Sequence, residues 1–104
     1  MSKQKHIWNA ESRRLAIITV LDNYKIEDID VVFKKAADLI NAVYASETNP
    51  KTSKSSIKMG FDITRSRMKG LEAKMQLPEG YNTIMDEELL KRNISPAKFA
   101  LLFS

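Results

Sequence analysis

Apolar residues recur at spacings of three and four positions along most of the chain, and no stretch shows the strict alternation that is typical of a half-buried strand. Polar stretches rich in Asn, Asp, Ser and Pro separate these periodic segments. The pattern predicts an all-α fold, a compact single-domain bundle of five or six helices over residues 9–104. We expect residues 1–8 to form a mobile basic leader.

The first two predicted helices have clear start signals. Asn9 is a suitable N-cap for a helix that runs to about Leu21, and the unique Trp8 before it is expected to pack against the core. A second helix over Glu27–Ala45 begins with acidic residues and carries a long apolar stripe, formed by Ile29, Val32, Ala36, Leu39 or Ile40, and Val43. This stripe predicts the central helix of the fold. Alternatively, part of it forms a homodimer interface.

The second half of the chain is predicted to contain shorter elements. After a polar loop over Ser46–Ser56, we expect a short helix over Ser55–Gly60 and a second helix that is N-capped by Thr64 and ends near Gln76. A capping-box-like sequence at Thr83 begins a further helix that stops at Asn93. Ser95 and Pro96 begin the last helix, which carries Phe99, Leu102 and Phe103.

Positive charge is concentrated in one part of the chain. The net charge of the whole protein is +4, whereas residues 51–74 contain seven cations and two acids, a local net charge of +5. On the helix that is predicted to follow Thr64, the apolar residues are flanked by cations on both sides. Arg65 and Lys69 lie on one flank, Arg67 and Lys74 on the other, with Ser66, Gly70 and Ala73 opposite the apolar stripe.

This arrangement has two interpretations. Small residues between two rows of cations allow a helix to approach a phosphate backbone closely. Alternatively, the cations are ordinary solvated residues whose aliphatic stems cover the edge of the core. Under the first interpretation, the candidate nucleic-acid-binding residues are Lys54, Lys58, Arg65, Ser66, Arg67, Lys69, Gly70 and Lys74.

The C-terminal stretch DEELLKRNISPAKFALLFS resembles the helix-turn-helix motif of DNA-binding regulators. Asn93 takes the turn position, Ile94 the buried turn residue, and Phe99 and Leu102 the inward positions of the second helix. Leu89 stands where the motif has a small residue, and the residues that would face a DNA groove offer few hydrogen bonds to base edges. We therefore expect this helix pair to pack against the core.

The segments 55–60 and 64–76 match the same motif as a variant form, with the more basic second helix and Gly60-Phe61 at the turn. In this pair Met68 lies two positions after the position at which the motif has a hydrophobic residue. A winged or otherwise variant helix-turn-helix accommodates that offset.

Signals for enzyme chemistry are absent from the sequence. His6 is the only histidine, cysteine is absent, and neither the GxxxxGK[ST] nor the GxGxxG phosphate-binding pattern occurs. We therefore expect a protein without enzymatic activity, metal or cofactor. The lack of cysteine and of a long apolar run fits a cytoplasmic protein that does not enter a membrane.

Three functions remain open from the sequence. The first is a small regulatory protein that binds DNA or RNA, with DNA favoured, through phosphate contacts. The second is a protein-binding inhibitor or adaptor that acts on a larger nucleic-acid-processing machine, of the kind common in phages and mobile elements. The third is a structural subunit that oligomerises through the second helix or the apolar C-terminus.

Overall fold

The computed structural model describes residues 5–71, 77 and 80–102, and in these residues the chain forms five α-helices and no strand. The helices are α1 (Ala10–Asn23), α2 (Ile29–Tyr44), α3 (Lys54–Met68), α4 (Tyr81–Lys91) and α5 (Pro96–Leu101). The prediction of an all-α single domain is therefore confirmed. None of the helices in these residues is long and apolar enough to cross a membrane.

Local capping chemistry sets the start of α1. The Asn9 side chain accepts a hydrogen bond from the Ser12 amide at 2.8 Å, and the Ser12 hydroxyl accepts one from the Asn9 amide at 2.9 Å. Two amides that the first helical turn leaves unpaired are satisfied by this reciprocal capping box. Trp8 packs against the edge of the core, so both predictions for this segment are confirmed.

Helix α2 lies between α1 and α3 and contacts both. Its inward face consists of Val32, Phe33, Ala36, Ala37 and Ile40, all of which are buried. The predicted central position is confirmed, but the apolar stripe is narrower than predicted, because Leu39 and Val43 are 38% and 58% exposed. The two neighbouring helices cover a sector of α2 that excludes these side chains. A homodimer through this exposed part of α2 stays a prediction.

The two helices expected around Gly60 are one continuous helix, α3, which Ser53 caps. Thr64 is therefore not an N-cap, and its buried hydroxyl donates to the Gly60 carbonyl one turn earlier at 2.8 Å. Gly60 leaves room for the Tyr81 side chain, because a Cβ atom there would lie 2.5 Å from the Tyr81 hydroxyl. The variant helix-turn-helix over residues 55–76 is wrong, because the two segments have no turn between them.

Residues with positive φ end α3 and α4. Gly70 (φ 75°) follows α3, with its own amide bonded to the Arg67 carbonyl and the Leu71 amide bonded to the Ser66 carbonyl. Asn93 (φ 56°) makes the same Schellman arrangement after α4. The predicted role of Asn93 is confirmed. Gly70 was expected inside a helix, and that expectation is wrong because α3 ends at Met68.

Helix α4 begins at Tyr81, two residues before the predicted capping box at Thr83. Gly80 takes the N-cap position without a side-chain hydrogen bond, so packing of Ile84 and Met85 into the core, and not a cap, stabilises this start. Ser95 caps α5 and Pro96 is its first residue, as predicted. Ile94 and Phe99 are buried, which confirms that the α4–α5 pair packs against the core.

Three phenylalanines join three helices in the centre of the core. Phe61 of α3 makes an edge contact with Phe33 of α2, at 5.6 Å between ring centroids, and a stacked contact with Phe99 of α5, at 6.2 Å. All three side chains are at most 2% exposed. Aromatic pairs of this kind stabilise a core beyond the burial of their area. Phe103, which was predicted to belong to the last helix, lies outside the described residues.

A buried carboxylate connects α1 to α4. Glu88 is only 2% exposed, and it accepts hydrogen bonds from Arg92 at 2.8 Å, from Lys91 at 3.1 Å and from Arg14 of α1. The outer sides of the arginines pair with acids, Arg14 with Glu87 and Arg92 with Asp22. Burial by itself would raise the pKa of Glu88, but the hydrogen bonds from the three cations outweigh it and lower the pKa to about 2.

We expect Phe61→Ala to lower the free energy of unfolding by about 3–5 kcal/mol, because the cavity it leaves cannot collapse between three helices. The control is Ile26→Ala, at a side chain that is 76% exposed, which should change stability by less than about 0.5 kcal/mol. Urea denaturation followed by circular dichroism measures both. Equal effects of the two substitutions would contradict the central position of Phe61.

The lowered pKa of Glu88 predicts a pH-dependent contribution to stability. The carboxylate stabilises the fold fully above its ordinary pKa of 4.5, and this contribution is lost as pH falls towards the folded-state pKa of about 2. Glu88→Gln should therefore cost about 3 kcal/mol at neutral pH, and the difference from wild type should shrink as pH falls from 4.5 to about 2.

Urea denaturation at a series of pH values measures this difference. Glu47→Gln, at an exposed turn position, is the matched control and should show no such trend. A Glu88→Gln difference that stays constant with pH would contradict the argument.

Candidate nucleic-acid interface

One exposed face of α3 carries most of the predicted interface. Lys54, Lys58 and Lys69 recur at helical spacings together with Asp62 and Arg65, so that all five lie within about 80° around the helix axis at 100° per residue. We call these five residues the basic face. Lys54, Lys58 and Lys69 are exposed, and no ion pair joins any of them to another residue in the part of the chain that the structure describes.

Arg65 lies on the basic face but is engaged within the molecule. Its guanidinium forms an ion pair with Asp62 at 3.3 Å and donates to the Leu102 carbonyl, just after α5, at 3.2 Å. Its side chain is 23% exposed. Arg65 therefore links α3 to the end of α5, and its charge is balanced locally by Asp62.

Arg67 lies on the other side of α3, where it forms an ion pair with Asp86 of α4 at 2.9 Å. Both side chains are largely solvated, so the pair adds little to stability, on the order of 0–1 kcal/mol. The pair does orient the guanidinium toward α4. The structure thus separates Arg67 from Lys54 and Lys58 around the helix.

The expected helix with two basic flanks is not formed, because α3 ends at Met68. Ser66 is half-buried near the C-terminal end of α3, and Gly70 is exposed just beyond that end. Gly70 therefore does not lie between two rows of cations. Lys74 and Ala73 lie outside the described residues. Whether the eight predicted residues bind nucleic acid stays a prediction, and of these eight the structure places Lys54, Lys58, Arg65 and Lys69 on one face.

Two small polar residues and one apolar residue border the basic face. Ser55 and Ser66 lie beside the lysines around the helix, and Met59 borders the face. Lys51, in the loop before α3, is exposed and adds a further cation that the sequence interpretation did not include among the site residues. Because Asp62 and Arg65 balance each other, the uncompensated charge here comes from Lys51, Lys54, Lys58 and Lys69.

The cluster around Glu88 was not predicted from the sequence. The spacing of Glu88 from Lys91 and Arg92, three and four residues, is a signal for ion pairs on one helix. Burial of the carboxylate depends on Arg14, however, which lies 74 residues away in the chain. No local pattern contains that contact.

His6 is held in the structure by the loop before α3. Its Nδ1 lies 2.7 Å from the Pro50 carbonyl oxygen, and its ring contacts Trp8 edge-on. The adjacent Ile7 backbone exchanges hydrogen bonds with the Asn49 side chain. In the described ranges, no group of three or more His, Cys, Asp or Glu side chains is arranged to hold a metal ion.

Comparisons with other proteins identify no relative. No protein-family model, no curated protein and no solved structure matches the chain at a significant level. Function is therefore inferred from the geometry and charge of this chain alone.

The position of Gly70 predicts an effect on stability. Gly70→Ala should lower the free energy of unfolding by about 1 kcal/mol, because a side chain at φ 75° is strained. Gly70→Asn should cost less, since asparagine tolerates this conformation. Thermal melts of the two variants and the wild type test this order of stabilities. If Gly70→Ala stabilises the protein, residue 70 belongs to a helix interior instead.

Proposed function

We propose that the protein is a small, non-enzymatic cytoplasmic protein that binds nucleic acid through phosphate contacts from the basic face, with a regulatory role. The observation that carries this proposal is the set of exposed lysines on one side of α3, Lys54, Lys58 and Lys69, to which the structure gives no acidic partner in its described part. Unpaired cations on a rigid element release the counterions of a phosphate backbone when they bind it.

The spacing of these lysines suits an extended polyanion. Lys54 and Lys58 are one helical turn apart, about 6 Å along the axis, and Lys69 follows about 16 Å further on. Ser55 and Ser66 lie between these ends and supply hydroxyl groups that can donate to phosphate oxygens. A helix with lysines and serines at these spacings can contact several phosphates without entering a groove deeply.

The chemistry of the face favours duplex over single strands. Proteins that hold single strands use aromatic side chains as stacking platforms, and the basic face contains lysine, arginine and aspartate only. It also lacks the Asn and Gln side chains that read adenine, and its one arginine is engaged by Asp62 and Leu102. We therefore propose binding to duplex DNA with little base specificity.

The test is the salt dependence of duplex binding, measured by fluorescence anisotropy of a labelled duplex. If Lys51, Lys54, Lys58 and Lys69 all contact phosphate, the logarithm of affinity should fall with the logarithm of salt with a slope of about −3 to −4. The triple variant Lys54→Ala, Lys58→Ala, Lys69→Ala should bind at least tenfold more weakly and reduce the slope to about −1.

The matched control removes the same charge elsewhere, with Lys25→Ala, Lys34→Ala and Lys98→Ala, which lie after α1, on α2 and on α5. It should retain the wild-type slope, as should Arg67→Ala on the other side of α3. Absence of binding at low salt, or equal losses in the two triple variants, would contradict the proposal.

A second candidate function, the protein-binding adaptor or inhibitor, is favoured by a groove between α3 and the α4–α5 pair. The groove has a volume of about 460 Å³ and is lined by Met68, Leu89, Leu90 and Pro96, with Arg67 and Asp86 at its edge. Leu90 is 78% exposed. A protein that is retained from a nuclease-treated lysate by wild type and by the lysine triple variant, but not by Leu90→Glu, would support this alternative.

A further inference from the structure

The exposed lysines of the basic face and of the loop before it form two groups along α3. Lys51, Lys54 and Lys58 lie at the N-terminal end of the helix, and Lys69 lies just beyond its C-terminal end. Lys58 and Lys69 are about 16 Å apart along the axis, and they lie within about 20° of each other around it. The two groups therefore face the same ligand surface at two separate places.

The middle of the basic face carries no net charge. Asp62 lies between the two groups of lysines and forms an ion pair with Arg65 at 3.3 Å, and the Arg65 guanidinium also donates to the Leu102 carbonyl oxygen. The Asp62 side chain is 45% exposed, so its carboxylate lies at the surface that a ligand meets. A phosphate beside this carboxylate would be repelled by it and would gain no net attraction from the neutral pair.

This distribution of charge fits two strands of a duplex better than one. Successive phosphates of a single strand rise by about 3.4 Å, so a strand that followed the whole basic face would place phosphates beside Asp62. A groove between two strands contains no phosphate. The major groove of B-DNA is about 12 Å wide and admits a helix, whereas the minor groove is about 6 Å wide. The separation of Lys58 from Lys69 is sufficient to span the wider groove.

On the basis of the duplex binding proposed above, we infer that α3 crosses the mouth of the major groove of B-form DNA and binds both strands. Lys51, Lys54 and Lys58 contact the phosphates of one strand, and Lys69 contacts those of the other. Asp62 then lies over the groove, where no phosphate repels it. The lysines at the two ends of α3 therefore have different strands as their ligands.

A duplex with one uncharged strand distinguishes binding to two strands from binding along one. In this duplex every phosphate of one strand is replaced by a neutral methylphosphonate, and fluorescence anisotropy compares it with the ordinary duplex of the same sequence. Lys69→Ala should weaken binding to the ordinary duplex about fivefold and reduce the salt slope by about 0.9. It should change binding to the half-neutral duplex by less than about twofold, because Lys69 there faces a strand without charge.

Two further variants control this comparison. Lys54→Ala should weaken binding to both duplexes about fivefold, because the larger group of lysines takes the charged strand in either complex. Lys25→Ala, at an exposed lysine after α1, should change neither affinity. All three side chains are exposed, so the variants should melt as cooperatively as the wild type when followed by circular dichroism.

Competition with two small dications identifies the groove. Methyl green occupies the major groove, and netropsin occupies the minor groove of an A·T-rich duplex. Because their charges are equal, the two ligands neutralise phosphate alike, and they differ in the groove that they block. At equal occupancy, methyl green should weaken binding of the protein at least about fivefold more than netropsin does, since it fills the groove that α3 crosses.

An equal loss of affinity for the two duplexes on Lys69→Ala would show binding along one strand and would overturn the inference. So would an affinity for the ordinary duplex that Lys69→Ala leaves unchanged, or stronger competition by netropsin than by methyl green. Each of these results leaves duplex binding by the other lysines intact. The absence of any duplex binding at low salt would instead overturn the proposed function, and the two-strand contact with it.

Discussion

The burial of Phe61 is the constraint on which the arrangement of the helices depends. Its ring lies between Phe33 of α2 and Phe99 of α5, and the three rings are nearly inaccessible to solvent. Because Phe61 must point into the core, the rotation of α3 about its own axis is determined. The neighbouring Gly60 then lies against the Tyr81 side chain of α4, whose hydroxyl would be 2.5 Å from a Cβ atom at residue 60. Two adjacent residues of α3, Gly60 and Phe61, thus contact residues of α2, α4 and α5.

The rotation of α3 also decides which of its charges are available. One flank of the buried stripe that contains Phe61 faces solvent and presents Lys58 and Lys69. Arg65, on the same flank, reaches the end of α5, and Arg67, on the other flank, reaches Asp86 of α4. The local net charge of the sequence therefore overstates the interface, because two arginines form internal contacts. The lysines that remain exposed carry the proposed phosphate contacts, and flexible ammonium groups of this kind bind phosphate without requiring one fixed geometry.

Charge in the rest of the fold is organised differently. Glu88 is buried among three cations, and acids on the outside balance two of them, so that this cluster connects α1 and α4 without leaving an excess of charge. A buried carboxylate is tolerated only because its hydrogen bonds compensate for lost solvation. Charge balance thus distinguishes this structural cluster from the basic face.

The sequence by itself determined the features that depend on neighbours within a few residues. The Asn9 cap, the Ser95-Pro96 start and the turn at Asn93 follow from side chains that bond to amides or adopt conformations nearby in the chain. The exposure of Lys54 and Lys58 could also be predicted, since lysine side chains are almost never fully buried unless they are paired. Tertiary structure alone decided that α3 continues through Gly60, that Gly70 ends it, that Arg65 and Arg67 contact Leu102 and Asp86, and that Glu88 is buried against Arg14. These outcomes depend on Tyr81, Asp86, Leu102 and Arg14, residues 19 to 74 positions away for the contacts of Arg65, Arg67 and Glu88, and the energy of such contacts has no signature in local spacing.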